Sequence, residues 1–372
     1  VKKRKILLIG AGAIGRGYLP WLIPAQEFEL LFVDSNPNII NHMKSKGSYS
    51  TYRVKQGDYE EKLVIVTAAY TPDQFNIDEH PDIEACFFSV GPRNVTHAAR
   101  LMKGSTIPII LCENEPGTVN DVKGIVAHEK VYFAVPDVIT SNTAPQCLLD
   151  RDPLAVVTED GVLFMEEGSV SFSGDFKLLS HTELQEMQWT PKLFLHNTPH
   201  CIAAYLGALT GVTYIHEAMD LPEVSVIVEG AMLEMLTSLK MKWEIPHDFL
   251  EWYAAKELSR FRSKLLFDPV ARVAREPLRK LEVHGRLIGA AQICLSLGVM
   301  PQNILIGITA ALLFDDQNDN DHHLAFLRRA LPKDAFNTYI LGLRRNEPLE
   351  LLLSSQIDSI ITRLKNISRE RR

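Results

Sequence analysis

Short, wholly apolar runs punctuate the first half of the chain, and stretches of helical spacing follow them. KILLIG at 5–10 ends in glycines and predicts a buried strand; 13–24 reads as helix and FELLFVD at 28–34 as a second strand. Runs at 63–67 (LVIVT), 85–90 (ACFFSV), 108–112 (PIILC) and 131–135 (VYFAV) alternate with helix-like segments. Strands alternating with helices predict an α/β domain with a parallel, doubly wound sheet. Segment 153–178 departs from that rhythm. It is rich in β-formers, carries turn signals at Glu159-Asp160-Gly161 and Ser173-Gly174-Asp175, and predicts added antiparallel strands.

From about residue 190 the apolar period changes to that of helices. Residues 223–242 and 247–265 place apolar side chains at helical spacing, and 277–299 and 302–314 continue the trend. Stretch 287–314 contains no Asp, Glu, Lys or Arg, long enough for a bilayer span on length alone. Gly298, Pro301, Gln302 and Asn303 interrupt its middle, so it predicts two buried helices joined by a turn. The boundary near 188 is a change of period with no flexible linker. It predicts one α/β domain over 1–188 and a mostly α-helical one over 189–372. The basic tail RLKNISRERR predicts a frayed end.

Composition refines this picture modestly. The chain has 372 residues, 46% apolar and 23% charged, with a net charge of −7. Such values exclude a disordered or collagen-like chain and argue against a nucleic-acid binder. Residues 1–188 carry 17 basic and 25 acidic side chains, whereas 189–372 carry 22 and 21. The basic excess concentrates in 256–286: Lys256, Arg260, Arg262, Lys264, Arg272, Arg275, Arg279, Lys280 and Arg286 against four acidic residues. Five scattered cysteines with no CxxC predict reduced thiols in a cytoplasmic protein. The apolar run at the N-terminus is too short for a signal peptide, and no membrane partner is expected. Loop 315–321 (DDQNDND) lacks the glycine and closing glutamate of a calcium loop and reads as a solvated acidic turn, with no metal expected.

Chemistry enters with GAGAIG at 10–15, a GxGxxG between a strand and a helix. Gly10 permits the tight turn, Gly12 lets the backbone approach a pyrophosphate, and Gly15 allows close helix–strand packing. The helix start at Ala13 and Ile14 offers N–H groups and the positive end of a dipole. Asp34, at the end of the next strand, can accept hydrogen bonds from a ribose diol and would repel a 2′-phosphate. NAD is therefore favoured over NADP, with FAD sharing the fingerprint. These features make 1–188 a Rossmann-type domain.

In the helical half, PKLFLHNTPHCIAAYLG at 191–207 places Lys192, Asn197 and His200 at i, i+5 and i+8. A lysine of lowered pKa suits proton exchange with an alcohol, an amide suits a developing alkoxide, and a histidine suits orientation. The same types also fit a surface lysine, a capping asparagine and a core histidine.

GAGAIGRG, SVGP at 89–92, CEN at 112–114, KLFLHNTPH at 192–200 with AYLG after it, and REPLRKL at 275–281 together resemble the polyol-specific long-chain dehydrogenases. The similarity runs in order from residue 5 to about 315. It implies metal-independent, NAD-dependent interconversion of a polyol phosphate and a ketose phosphate, of the mannitol 1-phosphate/fructose 6-phosphate type. Carried onto this chain, Lys192 is the general acid/base, Asn114 and Asn197 form an oxyanion pocket, and His200 keeps substrate and lysine in register. Gly10, Gly12, Gly15, Asp34, Ser89, Val90 and Gly91 contact the dinucleotide. The partner implied is a small sugar or polyol phosphate.

One segment departs from the family pattern. Members usually carry Val-Asp-Arg-Ile followed by proline after the strand beginning at Val131; here VPDVITSNTAP at 135–145 keeps Asp137 but has no arginine. Arg275, Arg279 and Lys280 are the candidates for a substrate anion, since guanidinium matches phosphate oxygens; a solvated or ion-paired face is the structural alternative. Three other functions fit the same residues: a hexuronate reductase, a dehydrogenase of unphosphorylated polyols, and a non-catalytic NAD(H) sensor.

Overall fold

Ile6, Leu7, Leu8 and Ile9 are all buried because the strand they form is covered on both faces. Ile6 and Leu8 enter one apolar cluster, whereas Leu7 and Ile9 enter another. This alternation explains why the run reads as continuously apolar. The computed structural model describes residues 3–113, 115–316 and 321–369. They divide into two units: one reaches Gln188 and includes Leu265–Phe267, the other holds Trp189–Lys264 and the chain from Asp268.

In the first unit the strands are β1 (Arg4–Ile9), β2 (Phe28–Val33), β3 (Ser48–Lys55), β4 (Asp58–Tyr70), β5 (Ile83–Phe88), β6 (Ile109–Leu111), β7 (Val131–Asp137), β8 (Val156–Glu159), β9 (Val162–Glu166) and β10 (Phe176–Leu179). They form one sheet in the order β10-β9-β7-β6-β5-β1-β2-β4-β3-β8. The central β7-β6-β5-β1-β2-β4 portion is parallel, as helical crossovers require. Antiparallel pairing occurs between β7 and β9 and between β3 and β4.

Two details differ from the sequence expectation. The Glu159-Asp160-Gly161 turn joins no hairpin: β8 pairs parallel with β3 at one edge, while β9 pairs with β7 towards the other. The run 63–67 is part of a thirteen-residue strand hairpinned to β3 through Gln56 and Gly57, whose φ values are 51° and 84°. Leu63 and Ile65 on that strand are exposed, whereas Val64 and Val66 are buried. β3 escapes notice because its SYSTYRVK sequence is polar and aromatic, with no apolar run. Segment 265–267 is held by this unit through the Tyr59 hydroxyl on the Leu265 carbonyl (2.8 Å) and the Ser141 hydroxyl on that of Phe267 (2.6 Å).

The second unit is helical and centres on Thr198–Thr210, buried from Thr198 to Gly207. Helix Gln302–Leu313 crosses it at Gly307, where a Cβ would come within 2.4 Å of Ile202. The uncharged stretch forms two helices, Ile288–Ser296 and Gln302–Leu313. No helix among the described residues is long and apolar enough to cross a membrane. The basic tail is more ordered than its composition predicts: helix Pro348–Arg369 runs through it, because Ile357, Ile360, Ile361 and Leu364 bury one face. Residues 370–372 lie outside the described residues.

Helix Pro222–Lys242 supplies the N-terminal cap of Gln302–Leu313. The buried Glu234 carboxylate accepts from Asn303 N (2.8 Å), Ile304 N (3.1 Å) and Asn303 Nδ2 (2.7 Å). One turn earlier, Gly230 leaves room for the Asn303 side chain, which a Cβ would meet at 2.3 Å. Removing this acceptor leaves several helix-end donors unsatisfied. Glu234→Ala is expected to lower the unfolding free energy by about 2 kcal/mol in urea titrations. A change near zero would show that the cap contributes nothing.

Candidate active site

In the first unit, the chain leaves β1 through Gly10 at φ +98°, a left-handed conformation next to the Ser89 backbone. Residues Ala13–Tyr18 form a wide helical turn of the i→i+5 type before regular helix at Leu19–Leu22. The three glycines are not equivalent. A Cβ on Gly15 would lie 1.8 Å from the Gly10 carbonyl oxygen, so Gly15 serves packing. A Cβ on Gly12 would meet nothing within 4 Å, which leaves the space a pyrophosphate requires.

Asp34 is locked beside this turn. Its Oδ2 accepts from Ala11 N at 2.6 Å and its Oδ1 from Asn36 N at 2.7 Å. The remaining lone pairs are available to a diol. An open groove of about 570 Å³ is lined by Ser35, Pro37, Thr71, Pro72, Asp73, His97 and Leu101, in the segments after β2 and β4 and on helix Val95–Arg100. The turn, the carboxylate and the groove fit an adenine dinucleotide.

The loop after β5 is organised by a residue that spacing alone did not single out. Buried Glu113 accepts from Val90 N (2.8 Å) and Gly91 N (3.0 Å), and the Ser89 hydroxyl donates to the Gly10 carbonyl (2.9 Å). These bonds tie 89–91 to the glycine turn while occupying two of its N–H groups. The sequence signal for it lies within CEN, whose glutamate precedes Asn114. Asn114 lies outside the described residues. Another unforeseen group is Arg16, buried against the carbonyls of Ala11 and Leu154, its pKa lowered by burial.

In the second unit, Lys192–Asn197 is a wide turn of the i→i+5 kind, followed by the regular helix from Thr198. This geometry decides which side chains meet. Five residues apart in an α-helix point roughly 140° apart, whereas the wider turn stacks them. The wide turn thus brings Lys192 and Asn197 nearer in direction than an α-helix would, with His200 three residues on in the helix that follows. All three are buried. The Asn197 Nδ2 group is buried and has no hydrogen-bond partner among the described residues. A buried amide donor left open is rare and marks a place for an acceptor oxygen.

Buried carboxylates surround this segment. His200 Nε2 bonds Asp268 Oδ2 at 2.8 Å, and Arg272 Nε and Nη2 bond Asp268 Oδ1, the former at 3.0 Å. Burial pushes the Asp268 pKa up, but Arg272 and the His200 bond outweigh it and bring it down to about 2. His196 Nδ1 makes a close contact with Glu257, which also binds Arg260. The rings of His196 and His200 both lie against Phe261. Glu257 and Asp268 lay in sequence among basic residues, with no spacing to mark them.

Most of the cations in 256–286 are committed. Carboxylates pair with Lys256, Arg260, Arg262, Lys264, Arg272 and Arg279. The Lys280 ammonium is buried against the carbonyls of Val273 (2.6 Å) and Arg275, and burial holds its pKa well below the ordinary value. Arg275 is exposed and, among the described residues, donates to the Arg272 carbonyl, at 3.3 Å. In the segment 138–145, which lacks the expected arginine, the Thr140 and Thr158 hydroxyls bond at 2.8 Å. Among the described residues no group of three or more His, Cys, Asp and Glu side chains could hold a metal ion; residues 317–320 of the acidic loop lie outside them.

Residues 4–167 match the family described as the mannitol dehydrogenase Rossmann domain, and 187–326 match the mannitol dehydrogenase C-terminal domain. Mannitol-1-phosphate 5-dehydrogenase of Bacillus pumilus is 31% identical over 340 residues, covering 85% of this chain and 89% of the relative. The protein of that name from Caldanaerobacter subterraneus is 29% identical over 337 residues, covering 85% and 87%. Among solved structures, mannitol 2-dehydrogenase of Pseudomonas fluorescens, in ternary complex with NAD and D-mannitol, matches with a TM-score of 0.79. It is 16% identical, with 99% of this chain and 95% of that one covered. A D-sorbitol dehydrogenase in substrate-free form matches with a TM-score of 0.70 at 13% identity, covering 98% and 94%.

The unequal glycines give a differential test. Gly15→Ala is expected to destabilise the protein by about 2 kcal/mol or more through overpacking. Gly12→Ala is expected to leave urea stability nearly unchanged while weakening NADH binding in a fluorescence titration. Equal behaviour of the two variants in both measurements would refute this division of roles.

Proposed function

The chain belongs to the mannitol dehydrogenase family, and from that premise we propose that it is an NAD-dependent oxidoreductase interconverting a polyol phosphate and a ketose phosphate, of the mannitol 1-phosphate/fructose 6-phosphate kind. The observation that carries this reading is the burial of Lys192, Asn197 and His200 along one wide turn and the helix start that follows it, with no hydrogen-bond partner for the Asn197 amide among the described residues.

The glycine turn, Asp34 and the groove beyond it would hold NAD, which when bound supplies or accepts the hydride. The chain's own residues manage the oxygen and its proton. In the reducing direction Lys192 Nζ donates a proton to the former carbonyl oxygen; in the oxidising direction it removes the hydroxyl proton. Asn197 Nδ2 donates to the same oxygen while it carries negative charge, an interaction stronger in the transition state than before it. His200 orients the adjacent hydroxyl.

Substrate phosphate requires a cation not already neutralised, and Arg275 answers that need within 256–286. Glu276, next in the chain, has φ +56°, and Phe267 has φ +47°. Two strained non-glycine residues bracketing 268–275 are consistent with a segment whose side-chain positions matter for function. Arg279, paired with Glu276, and Lys280, capping carbonyls, would support Arg275. The five scattered cysteines, with no CxxC, favour a cytoplasmic location.

Mixing the protein with NADH and fructose 6-phosphate is expected to consume nicotinamide absorbance. Lys192→Ala is expected to lower kcat by roughly a thousandfold while keeping NADH affinity. An absence of turnover across ketoses, ketose phosphates and hexuronates, with NADH still bound, would replace this reading with that of a sensor. Arg275→Ala is expected to raise KM for fructose 6-phosphate about ten- to a hundredfold, the worth of a charge-assisted contact. Unphosphorylated fructose should be unaffected; equal losses with both substrates would remove Arg275 from the phosphate site.

A further inference from the structure

His200 is restrained more tightly than a core histidine needs to be. Its ring stacks on buried Phe261 with centroids 4.9 Å apart and planes 3° apart, which sets the ring plane. Its Nε2 meets Asp268 Oδ2 at 2.8 Å, which sets rotation within that plane. The other carboxylate oxygen is occupied by Arg272 through Nε and Nη2, so the carboxylate itself cannot turn. Asp268 is anchored through its backbone as well. Its carbonyl accepts from Ile215 N at 3.0 Å, and Val270 N reaches the Thr213 carbonyl at 2.9 Å.

We propose that Asp268, held by Arg272, is a positioning residue that selects the tautomer and orientation of His200 for work on the substrate. The proposal rests on the assignment of His200 in the function above and deepens it. A carboxylate only accepts, so Nε2 carries the proton of this bond and Nδ1 is the ring nitrogen left to face a hydroxyl. A neutral ring then presents Nδ1 as an acceptor. A third group orienting a histidine in this manner is a general device in active sites, where it serves to fix the tautomer.

The same chemistry explains the cost the fold accepts. Burying a carboxylate is unfavourable unless every lone pair is used, and an apolar partner would pack against Phe261 with less penalty. Retaining Asp268, Arg272 and a left-handed Phe267 immediately before them makes sense if the direction of the imidazole, and not packing alone, is what the segment delivers.

A double-mutant cycle tests this with the full chain, NADH and fructose 6-phosphate. Asp268→Asn in the otherwise unchanged enzyme is expected to lower kcat about ten- to a hundredfold, with KM for NADH unchanged. In a His200→Ala background the same substitution is expected to change kcat less than about threefold, since its target is gone. Asp268→Glu should recover part of the loss. Should Asp268→Asn fail to fold, Arg272→Gln, which loosens the carboxylate without deleting it, is expected to show the same dependence on His200. Equal losses in the two backgrounds would overturn the proposal and leave the proposed function standing. Undiminished turnover in His200→Ala itself would overturn both this inference and the role given to His200.

Discussion

The wide turn from Lys192 to Asn197 is the constraint on which the catalytic reading depends. With regular α-helical bonding, the lysine and the asparagine would point to different faces, and no single oxygen could meet both. An i→i+5 turn is less favourable than the α-helix it replaces and persists where surrounding packing demands it. Here the following helix, Thr198–Thr210, is buried along most of its length, so the turn is clamped from its C-terminal side. A second wide turn, Ala13–Tyr18, follows the glycines in the other unit. A third, Leu184–Trp189, carries none of the candidate site residues, so the wide turn alone does not mark chemistry; the other two occur where chemistry is expected.

Buried charge is the second organising theme. Asp268 and Glu257 each accept from a histidine and an arginine, so neither is an isolated carboxylate in an apolar interior. Such arrangements are poor sources of stability but good sources of direction, because a partner that moves leaves an unpaired charge. The paired state of the cations in 256–286 follows from the same principle. A stretch whose sequence looks like one basic patch is mostly a set of ion pairs and carbonyl caps.

The first unit handles its anionic ligand differently. Backbone N–H groups at a helix start and the space above Gly12 provide for phosphate without positive side chains, so the half that carries the dinucleotide fingerprint can be acidic overall. Glu113 shows the cost of that strategy: a carboxylate is needed to hold the loop 89–91, and it uses up N–H groups that would otherwise be free. Family membership agrees with this reading at the level of cofactor class and polyol chemistry, and the likeness to solved structures agrees at the level of the fold.

Periodicity, glycine spacing and the motif at 192–200 were legible in the chain because each is local. Apolar runs report strands buried on both faces, GxGxxG reports a turn that only glycine permits, and the uncharged 287–314 reports two buried helices. Strand β3 and the parting of β8 from β9 were not legible, since pairing depends on residues far apart in the chain. Glu113, Glu257 and Asp268 were equally silent: a carboxylate in sequence carries no sign of what it will touch. The sequence by itself determined the fold class and the cofactor type, and it supplied the candidates for the reacting side chains. Tertiary structure alone decided which carboxylates restrain the histidines and which cations they neutralise, because burial and hydrogen bonding are set by neighbours that the chain brings together only on folding.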